Sequence, residues 1–210
     1  MKIILTTLVA VFITITATAQ TAEENVKKGK VAFDAKNYTE AIGYFEKAAK
    51  QKNAEAQFYL GLCNLEGNGM KKNQKKAFEW FQKAADQGLA GAQSKLGFCY
   101  LHGRGVTKNE QKAIEWIQKA VDQGYAEAQC RLGLCYMQNK GVEKNEQKGL
   151  ELIQKAADQG LDEAQYALGL CYSTGIYGVE RDEQKGKEWL QKAADQGFEF
   201  AIDDLKKFNK

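Results

Sequence analysis

The residues best suited to chemistry are five cysteines, four of which recur at a fixed spacing of 36 residues. These four are Cys63, Cys99, Cys135 and Cys171. Cysteines of exported proteins often form disulfides. Equivalent points on stacked helices, however, lie about 8–10 Å apart, whereas a disulfide needs Cα atoms within about 7 Å. We therefore predict buried, reduced thiols that serve as small apolar side chains.

No other residues combine into a catalytic or metal-binding motif. Cys130 lies outside the regular spacing and is a candidate for an accessible thiol. His102 is the only histidine, and its place before Gly103 predicts a solvated residue at a helix end. Thiols spread along a stack of helices cannot converge on one ion. The sequence also lacks the Ser-x-x-Lys, Gly-x-Ser-x-Gly, His-Glu-x-x-His and Gly-Lys-Ser/Thr patterns. We expect no metal, no cofactor and no enzymatic activity.

The N-terminus has the pattern of a signal peptide. Lys2 precedes an apolar run over residues 3–15, and Ala17-Thr18-Ala19 follows as a small-residue cleavage pattern. The run has 13 residues, whereas a membrane-spanning helix needs roughly 20, so a retained anchor is the weaker interpretation. No cysteine follows the run to carry a lipid. We predict cleavage near Ala19 and an exported, periplasmic or extracellular protein without stable membrane insertion.

Composition and charge favour a helical protein that does not bind nucleic acid. The chain contains no proline, is rich in Ala, Lys, Gln, Glu and Leu, and hardly alternates polar with apolar residues. Its formal net charge is +3, and lysines and glutamates are interleaved along its length. A nucleic-acid-binding protein needs a basic stripe that neutralises phosphates. We therefore predict an all-α fold and expect no nucleic-acid partner.

Four segments of the chain align almost residue for residue: 54–89, 90–125, 126–161 and 162–198. The period is 36 residues, with one extra residue in the last segment. Periods of this size are typical of stacked units that depend on their neighbours to bury a core. In each segment an apolar helical pattern, a glycine loop and a strongly amphipathic helical pattern follow one another. The sequence thus predicts a solenoid of helix pairs.

The ends and contacts of these helices are also predicted. One polar residue in each unit can cap the second helix through its side-chain oxygen; these are Asn73, Asn109, Asn145 and Asp182. One glycine after each second helix is expected to adopt a left-handed conformation; these are Gly88, Gly124, Gly160 and Gly197. One glycine within each first helix is expected to allow close packing against the second; these are Gly61, Gly97, Gly133 and Gly169.

The repeated residues resemble the Sel-one-like repeat (SLR), a subclass of the tetratricopeptide-type helical repeats. In the unit 90–125 the matching residues are Ala90, Ala92, Leu96, Gly97, Tyr100, Gly103, Gly105, Val106, Lys112, Ala113, Trp116, Lys119, Ala120 and Gly124. The resemblance covers residues 54–198 and implies a right-handed α/α superhelix. Residues 20–53 resemble a shorter, tetratricopeptide-like helix pair, and residues 199–210 are interpreted as a C-terminal capping helix. The expected fold has five helix pairs and this capping helix, preceded by a signal peptide over residues 1–19.

The resemblance implies a scaffold that binds a protein or peptide. In tetratricopeptide-type solenoids the first helix of each pair lines a concave surface that receives the partner. Carried onto this sequence, the lining has a first row of Phe58, Ser94, Cys130 and Tyr166, a second row of Leu62, Phe98, Leu134 and Leu170, and a third row of Leu65, Leu101, Met137 and Ser173. An exposed apolar stripe of this kind indicates a partner. The first row is the preferred binding row, since the second could simply pack between adjacent first helices.

A second function remains open on the same resemblance. Some cysteine-rich relatives have been described as binding or hydrolysing penicillin-type substrates, and some join the two helices of each repeat by a disulfide. The positions for a second cysteine hold Ala, Asp or Gly here. A polar pocket with a perturbed nucleophile would favour a penicillin-interacting or β-lactamase-like protein, whereas an open groove would favour the scaffold.

Overall fold

The computed structural model describes residues 21–208, and every regular element in this part of the chain is a helix. Eleven helices within residues 21–208 form five pairs and a C-terminal helix, so the predicted all-α solenoid with a terminal helix is confirmed. None of the helices described is long and apolar enough to cross a membrane. The predicted signal peptide over residues 1–19 lies outside the described residues.

The chain divides into two compact units. The first unit comprises the described residues up to Gln93 together with Gly103–Thr107. It contains α1 (21–34), α2 (Tyr38–Lys50), α3 (Ala54–Glu66), α4 (Gln74–Asp86) and the first residues of α5 (Ala90–His102).

The second unit comprises Ser94–His102 and the described residues from Lys108 onward. It contains the remainder of α5, followed by α6 (Glu110–Asp122), α7 (Ala126–Gln138), α8 (Glu146–Asp158), α9 (Asp162–Thr174), α10 (Glu183–Asp195) and α11 (Glu199–Phe208). Each pair therefore joins two helices of similar length through a loop.

The second helix of each pair begins at the polar residue predicted to cap it. The side-chain oxygens of Asn73, Asn109, Asn145 and Asp182 accept hydrogen bonds of 2.9–3.0 Å from backbone N–H groups three residues later. These bonds satisfy donors that have no partner within the helix. The predicted caps are thus confirmed.

The predicted left-handed glycines follow the second helices. Gly88, Gly124, Gly160 and Gly197 have φ between +77° and +90°. Such a residue ends a helix and redirects the chain, and glycine adopts this conformation without a Cβ penalty. Lys52 occupies the same place after α2 with φ +62°, so the first pair ends in the same way with a side chain present.

The core of each pair lies where a glycine of the first helix meets a large apolar residue of the second. In the first unit a Cβ on Gly61 would lie 2.5 Å from Cε1 of Phe81. In the second unit a Cβ on Gly97 would lie 2.5 Å from Cγ1 of Ile117. Carbon atoms in contact normally lie about 3.5–4.0 Å apart. These glycines therefore allow the helices to approach closely, as expected.

The loops inside the third and fourth pairs return to the helix pair before them. A Cβ on Gly105 would lie 2.1 Å from the backbone oxygen of Gln74, the first residue of α4. A Cβ on Gly141 would lie 2.8 Å from the backbone oxygen of Glu110, the first residue of α6. The longer loop of the last pair differs, because Tyr177 takes a φ of +58° and Gly178 has no atom within 4 Å of a Cβ built there.

Candidate functional site

All five cysteines are buried and carry thiols rather than disulfides. Burial raises the pKa of Cys63 and of Cys171 to about 11 and the pKa of Cys130 to about 12. The thiolate is the reactive form of cysteine, so these side chains are poor nucleophiles. The expectation that Cys130 is accessible is wrong. The residue is 3% exposed, because α7 places it in a core cluster with Ala164 and Leu168 of α9.

The raised thiol pKa values predict a loss of stability at high pH. Unfolding returns each thiol towards its ordinary pKa of 9.0, so above that pH the unfolded chain releases protons that the folded chain retains. Below pH 9 this contribution is complete, and we expect the free energy of unfolding to fall between pH 9 and 12. The measurement is urea denaturation across this range for the wild type and for Cys130→Ala. An equally steep fall in the variant would contradict the contribution of Cys130.

Two of the three predicted apolar rows are wholly or partly buried. In the third row Leu65, Leu101 and Met137 are 7%, 6% and 4% exposed. In the first row Ser94 and Cys130 are buried as well. Leu101, Cys130 and Met137 are therefore removed from the predicted binding surface, because their side chains fill the space between helices and cannot meet a partner.

The remaining residues of the first row make aromatic contacts within the protein. Phe58 is half-buried, and its ring centroid lies 5.6 Å from that of Tyr59 and 6.0 Å from that of Phe81. Tyr166 is half-buried, and its hydroxyl donates a 3.0 Å hydrogen bond to Asp204 of α11. Both side chains stabilise packing between helices, so the first row is not the most accessible one.

The second row is the accessible one. Leu62, Phe98 and Leu170 are half-buried, and Leu134 is 37% exposed. The preference for the first row is therefore corrected in favour of the second.

In the second unit this row belongs to a surface built by α5 and α7. We call it the Phe98 surface and define it by Lys95, Phe98, Glu127, Arg131 and Leu134. Residues three or four apart share one face of a helix, so Lys95 lies beside Phe98 on α5. By the same spacing Glu127, Arg131 and Leu134 follow one another along α7.

Contacts between the two helices fix the side chains of the Phe98 surface. Lys95 Nζ lies 3.0 Å from Glu127 Oε2, and the hydroxyl of Tyr125 donates to Glu127 Oε1 at 3.1 Å. The guanidinium carbon of Arg131 lies 4.9 Å from the ring centroid of Phe98, within the range of a cation–π contact. The surface thus presents an aromatic ring and a leucine beside held charges.

The first unit carries a related arrangement on α1 and α3. Lys30 Nζ lies 2.6 Å from Glu55 Oε1, and this hydrogen bond raises the pKa of Lys30. Tyr59 occupies the register that Arg131 has on α7, and its ring stacks on Phe45 at 4.7 Å. Burial raises the pKa of Tyr59. Here an aromatic side chain directed into the core takes the place of the arginine.

Sequence reasoning did not single out Lys95 and Arg131. The available signal was divergence between the copies, because one register holds Tyr59, Lys95, Arg131 and Ala167. That signal is not specific to exposed positions, since the register just before it varies as well and includes the buried Ser94 and Cys130.

An open cavity of about 590 Å³ between α1 and α2 is lined in part by charged helix-surface residues. Its carboxylate Glu24 pairs with Lys28 at 2.6 Å, and the hydrogen bond from Lys28 lowers the pKa of Glu24. Such a pair four residues apart is common on helix surfaces. Within the described residues no group of His, Cys, Asp and Glu could hold a metal ion.

Comparison with known proteins identifies the repeat. The sequence profile of the Sel1 repeat matches residues 32–53, 54–89, 90–125, 126–161 and 162–198. No curated protein matches the sequence.

Among solved structures, a Sel1 repeat protein from Oxalobacter formigenes is 32% identical with a TM-score of 0.79, and the match covers 91% of this chain and 78% of that one. The protective antigen c5321, present in uropathogenic Escherichia coli strains and displaying an SLR fold, is 30% identical with a TM-score of 0.67. That match covers 86% of this chain but only 39% of the antigen. The immunity protein Pa5087 from Pseudomonas aeruginosa, at 23% identity and a TM-score of 0.64 over 86% of this chain and 67% of that one, shows the same fold.

The repeat profile extends over most of the chain, and the match to the first of these structures covers 91% of this chain. The Sel1-repeat solenoid is typically a non-enzymatic fold. The chain therefore belongs to the Sel1 repeat family, whose members are generally scaffolds for protein–protein interaction.

Proposed function

We propose that this chain is an exported scaffold that binds a protein or peptide on the face formed by the first helices of its repeats, the face expected to be concave. The Phe98 surface carries this proposal. Leu134 is 37% exposed and lies on one helix face with Arg131, whose guanidinium lies over the half-buried Phe98. Aromatic and arginine side chains are enriched at the centres of protein interfaces.

The export component of the proposal rests on the sequence. A leader over residues 1–19 would be removed near Ala19, and the helix pair of 20–53, the four repeats of 54–198 and the terminal helix of 199–210 would act in the periplasm or outside the cell. N-terminal sequencing of the protein recovered from envelope and medium tests this. We expect Gln20 as the first residue, whereas a retained Met1 would contradict export by cleavage.

Binding without catalysis is the function that the side chains favour. The penicillin-interacting alternative needs an activated nucleophile in a polar pocket. Burial raises the pKa of Cys63, Cys130, Cys135 and Cys171, which opposes activation. No specific observation favours this alternative.

The proposal is tested by capture of partners from envelope extract on immobilised protein of residues 20–210. The test variant carries Phe98→Ala and Leu134→Ala, and the control carries Ile176→Ala, which removes another exposed apolar side chain, 43% exposed, from the last loop. Helical circular dichroism confirms that all three proteins are folded. We expect a partner that the wild type and the control retain and that the test variant loses. Equal capture by all three would contradict this surface, and no capture by any would contradict the scaffold function.

A further inference from the structure

Arg131 is a charged side chain that is held in place by a cation–π contact and forms no ion pair within the described residues. Its guanidinium lies over the ring of Phe98 at 4.9 Å. Within residues 21–208 the guanidinium has neither a hydrogen-bond acceptor nor an ion-pair partner, and its Nε atom is buried. Leaving a buried donor unsatisfied is unfavourable. The arginine is thus held by stacking while its planar set of donors stays available.

The other charges of the Phe98 surface are already neutralised. Lys95 and Glu127 form an ion pair at 3.0 Å. Glu163 acts electrostatically on Cys130, the residue next to Arg131, so further negative charge already lies close to the arginine. The net charge of the Phe98 surface is therefore at most +1. A singly charged carboxylate matches that net charge and the donor geometry of a guanidinium, whereas a dianionic phosphate would add repulsion from the glutamates.

Leu134 lies about one helical turn from Arg131. The two residues are three apart on α7, where Cβ atoms lie about 5–6 Å apart, and the guanidinium of Arg131 extends to the ring of Phe98 on α5. In an extended peptide the side chains of residues i and i+2 point to the same face. An acidic residue and an apolar residue at that spacing fit both groups.

We propose that Arg131 binds the side-chain carboxylate of an Asp or Glu in a partner peptide whose apolar residue two positions away packs on Leu134. This inference rests on the proposed binding function and names the chemistry of the partner. Arg131 supplies the specificity for the acidic residue, and Phe98 holds the guanidinium in place.

The test uses an array of acetylated, C-terminally amidated decapeptides with an Asp/Glu-x-Leu/Phe core, each paired with its Asn/Gln counterpart. Protein of residues 20–210 is compared with Arg131→Gln, with Arg131→Lys and with the control Arg104→Gln, which removes an exposed loop arginine. We expect wild type and control to bind the acidic peptides about tenfold more tightly than their amide counterparts. Arg131→Gln should bind both forms equally, and Arg131→Lys should keep part of the preference.

The outcomes separate this inference from the binding function. Binding without an acidic preference, lost in the Phe98→Ala and Leu134→Ala variant, would leave the binding function standing and overturn the role of Arg131. An acidic preference that survives in Arg131→Gln would also overturn it. Tighter binding of phosphoserine peptides, or a preference confined to peptides with free C-terminal carboxylates, would reject the acidic side chain as the ligand. Absence of binding to every peptide would overturn both proposals.

Discussion

Replacing Phe81 by alanine is expected to lower the free energy of unfolding by about 3–5 kcal/mol. Phe81 is 0% exposed in α4, and its ring covers Gly61 of α3 and lies 6.0 Å from the ring of Phe58. Truncation removes the burial of the ring and leaves a cavity that the helices can close only in part. Guanidinium denaturation followed by helical circular dichroism measures the loss.

The control for this prediction is the same substitution at an exposed phenylalanine. Phe200 in α11 is 67% exposed, and Phe200→Ala should change the free energy of unfolding by no more than about 0.5 kcal/mol. Similar effects of the two substitutions would show that Phe81 does not fill the core of its helix pair.

Replacing Gly105 by alanine is expected to lower the free energy of unfolding by about 3 kcal/mol or more. Gly105 has φ +75°, a region that L-residues with side chains rarely adopt. The new Cβ would lie 2.1 Å from the backbone oxygen of Gln74 and 2.5 Å from its carbon. Backbone atoms cannot turn aside as a flexible side chain can, so the loop must move off the start of α4.

The substitution Gly88→Ala separates the cost of a side chain at positive φ from the cost of the contact with α4. Gly88 has φ +90°, but a Cβ built there has no atom within 4 Å. Gly88→Ala therefore carries only the conformational cost, about 1–2 kcal/mol, and Lys52 at φ +62° shows that a side chain fits after a helix of this fold. Thermal or chemical denaturation of both variants gives the comparison. Equal losses would mean that the contact with α4 contributes nothing.

The helices could be predicted because each repeat contains residues that mark where its second helix begins and ends. Asn109 caps α6 and Gly124 follows it, and both signals act within a few residues of the chain. Four nearly identical copies repeat these signals, so chance patterns are averaged out. The helices and their boundaries could therefore be predicted from interactions between residues close together in the sequence.

The binding surface was less predictable, because exposure depends on contacts between helices. All three apolar rows have the spacing of a helix face, yet Met137 is buried and Leu134 is exposed on the same helix. Which row faces outward follows from how α7 packs against its neighbours, and a period of 36 residues carries no information about that. Arg131 was missed for the opposite reason, since a single copy carries it.

The loop glycines affect how a gene of this kind can gain and lose repeats. Gly105 and Gly141 each lie against the backbone oxygen at the first residue of a helix in the preceding pair, and the N–H of Gly141 also donates to the Glu110 side chain. The backbone part of this contact does not depend on the amino acid encoded there, so duplication or loss of a whole 36-residue segment restores that part without compensating mutations. The last segment breaks this interchangeability. Tyr177 takes a left-handed conformation and a Cβ on Gly178 would meet no atom within 4 Å, so a copy of that segment placed elsewhere in the gene would lack this glycine contact with the preceding pair.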